Sequence, residues 1–159
     1  MRARRYPLAP LQRLREKGVK DATKLLSDAI RAKHLAEANE ADALARRNAA
    51  EEKTRAILSS EAAALERGEL RSADLAQAAA WKERDEAERA VLRRRATNAS
   101  EDAAIAQGEE RGAMGAVARA RADEEIVARD RARWEATQKK RSEAVEEEHA
   151  EDSRQGRSK

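Results

Sequence analysis

His34 and His149 are the only histidines, and there is no cysteine, so few side chains here could ligate a metal or act as a nucleophile. His149 stands near Glu146 and Glu148, and one helix turn could offer an imidazole and carboxylates to a cation. A solvated acidic helix surface accounts for the same residues more simply. No Ser–His–Asp arrangement is recognisable. The segment GEERGAMG at 108–115 is glycine-rich, but it lacks the Lys-Ser/Thr ending and preceding strand of a phosphate loop. Most other carboxylates stand three or four residues from a base, the spacing of surface ion pairs on a helix. Catalysis also needs a concave pocket. No enzyme activity, cofactor or metal is expected.

Three further features carry binding chemistry. Arg93, Arg94 and Arg95 could grip phosphate, but Glu86, Glu88 and Glu101 flank them and no base-stacking aromatics accompany them. They read as a solvated face, and no nucleic-acid partner is expected. Trp134 and Trp81 are costly to expose. Trp134 reads either as core packing or as a contact for a partner. Trp81 lies beside Ala78, Ala79 and Ala80 and reads as a partner contact.

The elements that must position these residues follow from composition. The chain has 159 residues, 41% charged and 2% aromatic, with a net charge of +3. Rich in Ala, Arg and Glu, it suits a long helix or coiled coil, with too few large apolar side chains for a compact core. One elongated unit is expected. The small charge excess does not argue for nucleic acid. No apolar run could span a bilayer, and the basic start lacks the apolar stretch of a signal peptide. A cytoplasmic location without direct membrane insertion is therefore expected, and the lack of cysteine suits a reducing compartment.

The densest large apolar residues lie at 8–30: Leu8, Leu11, Leu14, Val19, Leu25, Leu26 and Ile30. Leu8, Leu11, Leu14 and Leu25 are expected to form one stripe, opened by Pro7 and Pro10 in the first turn. Arg2, Arg4, Arg5, Arg13, Arg15, Lys17 and Lys20 make this end basic. It reads either as the first turns of a coiled coil or as a docking end. Ala22, Ala29, Ala36, Ala43, Ala50, Ile57 and Ala64 then recur every seven residues, a coiled-coil signature. The partner column, read three residues on, is weak: Leu25 and Ala32, then Asn39, Arg46 and Lys53. Leu44, Leu58 and Leu65 lie on the neighbouring flank. The stripe drifts, because 3.6 residues per turn do not match a 3.5-residue repeat.

Helix one is expected over about 8–66 and a turn over about 67–72, with Gly68 just past the helix end and Ser72 as the next N-cap. Helix two runs from about 73 to 148, with a disordered tail at about 150–159. Its column is Leu92, Ala99, Ala106, Ala113, Ala120, Val127 and Trp134, with Ala96, Ala103 and Val117 between and Glu110, Glu124 and Arg131 interrupting. The fold class is all-α: two long helices folded back as an antiparallel coiled-coil hairpin with an alanine-rich seam. Paired residues should have numbers adding to roughly 139. Gly108, Gly112 and Gly115 would then face the bulky Leu25, Leu26 and Ile30, or else mark a flexible joint. From Trp134 onward, helix two overhangs helix one, facing Arg5, Tyr6 or nothing.

The opening stretch resembles the FliJ/YscO (SctO) family, stalk proteins of flagellar and injectisome type III export machines. The family pattern L-A-x-L-x-x-L-x-E-K-x-V-x-D-A-x-x-L-L is met by Leu8, Ala9, Leu11, Leu14, Glu16, Lys17, Val19, Asp21, Ala22, Leu25 and Leu26. The specific motif covers about 20 residues; the hairpin plan covers most of the chain. The resemblance implies a central stalk at the cytoplasmic base of an export apparatus. Its open end would enter an export ATPase hexamer, stimulate it and couple it to the cytoplasmic domain of the export gate; some members bind export chaperones. It further implies an ATPase-binding end at Leu8, Leu11, Arg13, Leu14, Arg131, Arg133 and Trp134, and a gate-facing turn end at Leu70, Leu75 and Trp81. The alternative is a generic cytoplasmic coiled-coil scaffold or holdase-like chaperone with no ATPase partner.

Overall fold

In the computed structural model, which describes residues 5–155, two helices form an antiparallel, coiled-coil-like hairpin. Helix α1 is Ala9–Glu66 and α2 is Ser72–Gln155. The chain divides into two compact units. One comprises Met1–Leu26 with Gly112–Lys159, the other Ser27–Arg111. Helix α2 continues beyond residue 148, so the start of the expected disordered tail is helical through Gln155. Arg2, Arg4 and the last four residues lie outside the described residues.

The connection forms because Gly68 adopts a left-handed backbone, with φ at 66°. The Gly68 amide donates to the Leu65 carbonyl (3.0 Å) and the Glu69 amide to the Ala64 carbonyl (3.1 Å). Those paired bonds end a helix by satisfying its last carbonyls. The start of α2 differs from expectation. The Arg71 carbonyl accepts the first helical bond, from Leu75 (3.1 Å), and the Asp74 carboxylate accepts from the Arg71 amide at 2.8 Å. Arg71 is thus the N-cap, Ser72 the first helical residue, and Asp74 supplies the reciprocal bond of a capping box.

In the Ser27–Arg111 unit, Ala29, Ala36, Ala43, Ala50, Ile57 and Ala64 are half-buried against α2, which contributes buried Ala96, Ala103 and Ala106. The second α1 column lies four residues on, not three. Lys33, Glu40, Arg47, Thr54 and Glu61 are buried or half-buried, whereas Ala32, Asn39, Arg46 and Lys53 are exposed. Half of this seam is therefore polar. It closes through cross-helix pairs: Lys33 with Glu110 at 3.0 Å, Glu61 with Lys82 at 2.9 Å, and Thr54 with Asp85 at 2.8 Å. The Thr54 and Asp85 pair falls on the expected register.

The other unit seats Val117 and Val127, both buried, against the start of α1. The leucines expected as one stripe separate here. Leu11, Val19 and Leu26 turn inward, while Leu8, Leu14 and Leu25 are exposed. A stripe at helical spacing spreads around the helix as it drifts against the seam. The glycines do not face bulky partners either. A Cβ added at Gly108 or Gly112 would meet nothing within 4 Å, and at Gly115 it would reach only the Arg119 guanidinium at 3.5 Å. Small-against-large packing is not what these glycines provide.

Candidate docking end

Sequence reasoning left Trp134 with Tyr6 as one of several neighbours; the two rings meet with centroids 5.6 Å apart, tilted by 60°. Tyr6 precedes α1 and is pinned there because its carbonyl accepts from the Ala9 amide (3.3 Å). Its side chain lies over α2 and is buried. The phenol donates to Asp130 Oδ2 at 2.6 Å. Burial, then the hydrogen bond to Asp130 and the charge of that carboxylate, push the Tyr6 phenol up to about 12; Arg131 opposes them.

Around this lock, two polar bonds cross between the helices, from Arg131 to Gln12 and from Arg15 to Asp123, and two more run within one helix. Arg131 donates to Gln12 at 3.0 Å and to Glu135 at 2.7 Å, Gln12 donates to Glu16 at 2.8 Å, and Arg15 meets Asp123 at 2.8 Å. The sequence-predicted residues divide accordingly. Trp134 packs half-buried against Tyr6, and Leu11 faces the seam. Leu14 is 62% exposed and Leu8 43%. Arg13 and Arg133 are exposed, and Arg131 is engaged. Tyr6, Asp130 and Gln12 were not anticipated as a set. The available signal was the single tyrosine of the chain, one residue before Pro7 and opposite the last member of the α2 column.

The predicted turn-end residues lie in the Ser27–Arg111 unit. Leu75 is exposed, while Leu70 and Trp81 are half-buried. Trp81 is thus less available to a partner than its sequence context suggested. Deeper in this unit Thr54 is 5% exposed. Its hydroxyl lies 2.8 Å and 3.0 Å from the two Asp85 oxygens and 3.0 Å from the Ala50 carbonyl. Arg89 holds the same carboxylate at 2.7 Å. Burial pushes Asp85 up, but the bonds from Arg89 and Thr54 and the charges of Arg89 and Lys53 outweigh it, leaving the carboxyl below its ordinary value.

A shallow hollow is lined by Ala32, Leu35, Ala36 and Ala99, with Asn39 and Asp102 as its polar members. Of the Arg93 to Arg95 cluster, Arg93 is paired with Glu86. Among the described residues, no group of three or more His, Asp or Glu side chains could hold a metal, and no helix is long and apolar enough to cross a membrane. The chain matches no protein-family model, curated protein or solved structure in comparison with each.

Proposed function

We propose that the chain is an export-ATPase stalk of the FliJ/YscO kind, whose open end enters an ATPase hexamer, stimulates it and couples it to the export gate, with chaperone binding as a further role. The observation that supports this reading most is the end where α1 starts. A buried tyrosine and a tryptophan clamp the two helices together there, while Leu8, Leu14, Arg13 and Arg133 stay exposed. A tip that enters a protein ring needs such a combination: a fixed frame, apolar side chains that gain by burial, and charge that steers entry. Leu70, Leu75 and Trp81 are the gate-facing end in the same reading.

The test is steady-state hydrolysis by the cognate ATPase. Replacing Leu8 and Leu14 with Ala, or Arg13 and Arg133 with Glu, should abolish stimulation while circular dichroism stays unchanged. Leu11→Ala is a poorer probe because Leu11 also faces the seam. Trp81→Ala should stimulate normally and impair only gate coupling. Wild-type protein that neither binds nor stimulates the ATPase would sink the stalk reading. The scaffold or holdase alternative would then stand, favoured by the exposure of Leu35 (65%) and Ile105 (60%). That reading requires association through apolar surface, which persists in high salt.

A further inference from the structure

Two charged stripes in the same compact unit are left over by the contacts described so far. On α1, Arg13, Lys17, Lys20 and Lys24 recur at spacings of four, three and four, which puts them on one face. All four are exposed, and among the described residues none of them makes an ion pair. Leu14 and Leu25 flank the stripe, 62% and 64% exposed.

The second stripe is on α2. Beyond Trp134 the helix runs on to Gln155, roughly 30 Å at 1.5 Å per residue. Glu143, Glu147 and Glu151 recur there every four residues, with Glu146 adjoining Glu143 at the edge of the stripe, and all are exposed. Glu143 is 3.8 Å from Lys139; among the described residues Glu146, Glu147 and Glu151 make no ion pair. These carboxylates cannot reach the α1 stripe of their own chain. Trp134 lies against Tyr6, so the overhang starts where α1 starts and leads away from Arg13 to Lys24.

We infer that the open ends of two copies of this chain dock reciprocally, the acidic overhang of each lying along the basic α1 stripe of the other. The stripes are close in length, about 12 Å of carboxylates against about 16 Å of cations, and each places a charge once per helical turn. The overhang of one copy and α1 of the other run parallel in this arrangement. A two-fold axis makes both contacts at once, so the interface is isologous and closed. Ala144 and Ala150 adjoin the carboxylates and let the overhang approach Leu14 and Leu25. Exposed ion pairs are individually weak and screened by salt, so the dimer is weak and salt-labile. It occupies the end that the proposed stalk would insert, and so constitutes a resting form that must open before docking elsewhere.

The test uses the full chain alone, with no ATPase, and stands whether or not the stalk reading holds. Sedimentation equilibrium at low salt should show a monomer–dimer equilibrium whose dissociation constant rises at least ~10-fold on adding half-molar salt. Glu143→Lys with Glu147→Lys and Glu151→Lys (variant one) should be monomeric. Lys17→Glu with Lys20→Glu and Lys24→Glu (variant two) should be monomeric too. Circular dichroism identical to wild type shows that both still fold. Mixed together, the two variants should dimerise again, because both contacts of the mixed pair join opposite charges. Three outcomes overturn the inference: a wild type that stays monomeric at low salt and high concentration, a mixture that stays monomeric, or a dimer that survives salt and both reversals. The last would place the interface on apolar surface instead. Wild type that stays monomeric but binds vesicles of anionic lipid through Arg13 to Lys24 would assign the stripe to a membrane surface and likewise overturn it.

Discussion

Tyr6 and Thr54 are both buried by α2, and both carry a hydroxyl that meets an aspartate. Their surroundings differ. Tyr6 sits against the indole of Trp134, and burial and the Asp130 carboxylate favour its neutral, proton-donating form. Thr54 faces a carboxylate that Arg89 also holds, so there the anion is the favoured form. An alanine seam has little area to bury, and the chain supplements it with two different devices. One is an aromatic pair with a phenol at its edge; the other is a charged chain of hydrogen bonds. A buried polar pair adds little net stability over an apolar one but penalises every misaligned register. The Thr54 layer is therefore a pin for register, whereas the Tyr6 lock contributes area.

The largest effect that would break this contrast comes from Trp134→Ala. It removes the chief aromatic area of its unit and should lower unfolding free energy by about 2 kcal/mol, read as a lower urea midpoint. A change within a few tenths would mean that the rings merely touch. Thr54→Val keeps volume but takes a donor from a half-buried carboxylate, at a cost of about 1 kcal/mol. The Trp134 and Thr54 variants also test register directly. Crosslinking between Cys at 33 and 110, the positions that the Lys33–Glu110 pair joins across the helices, should broaden to neighbouring positions in Thr54→Val and stay sharp in Trp134→Ala.

The pH limits of the two devices lie at opposite ends. Asp85 has a folded pKa below its ordinary 3.8, so its contribution is present above that value and is lost as pH falls through the folded pKa. Tyr6 has a folded pKa raised from 10.0 to about 12. Its contribution is complete below 10 and disappears as pH rises from 10 to about 12. Being the only tyrosine, it can be followed by tyrosinate absorbance, and Tyr6→Phe should remove that part of the alkaline loss. A phenol that titrates at its ordinary value would show that the Asp130 bond is not held in solution.

The smallest expected effect is a gain. Gly108 and Gly112 have open space where a Cβ would stand, and they belong to different units. Ala at either site should stabilise by about 0.5 kcal/mol through helix propensity. Equal gains in urea midpoint would mean that the two regions unfold together; a gain from only one identifies the region that limits stability.

The heptad columns and the turn were legible because each is written in one helix's own period or in one residue's backbone preference. Ala22 through Ala64, Leu92 through Trp134, and Gly68 needed no partner to be read. The polar column of Lys33, Thr54 and Glu61 was not legible. Its residues look like solvent-facing positions until Glu110, Asp85 and Lys82 are brought opposite. The N-cap was misplaced by one residue because Ser72 has the favoured side chain, while the bond is made by Asp74 reaching back. The glycines invited a packing explanation, but open space surrounds Gly108 and Gly112 in the folded chain. Of the candidate docking end, the cluster of leucines and arginines was readable but not which leucines face outward, and the phenol bond to Asp130 joins residues 124 positions apart and leaves no local trace.

That separation has a kinetic meaning. Thr54 and Asp85 are 31 positions apart, and the glycine-ended connection already brings the helices face to face near them. Closing that loop costs less chain entropy than closing one four times as long, although the cost grows only logarithmically. The hairpin can thus close as a zipper, from local contacts outward, with the low contact order that speeds folding. The bond from Tyr6 to Asp130 is then the final tooth, so the candidate docking end is expected to close after the Thr54 layer.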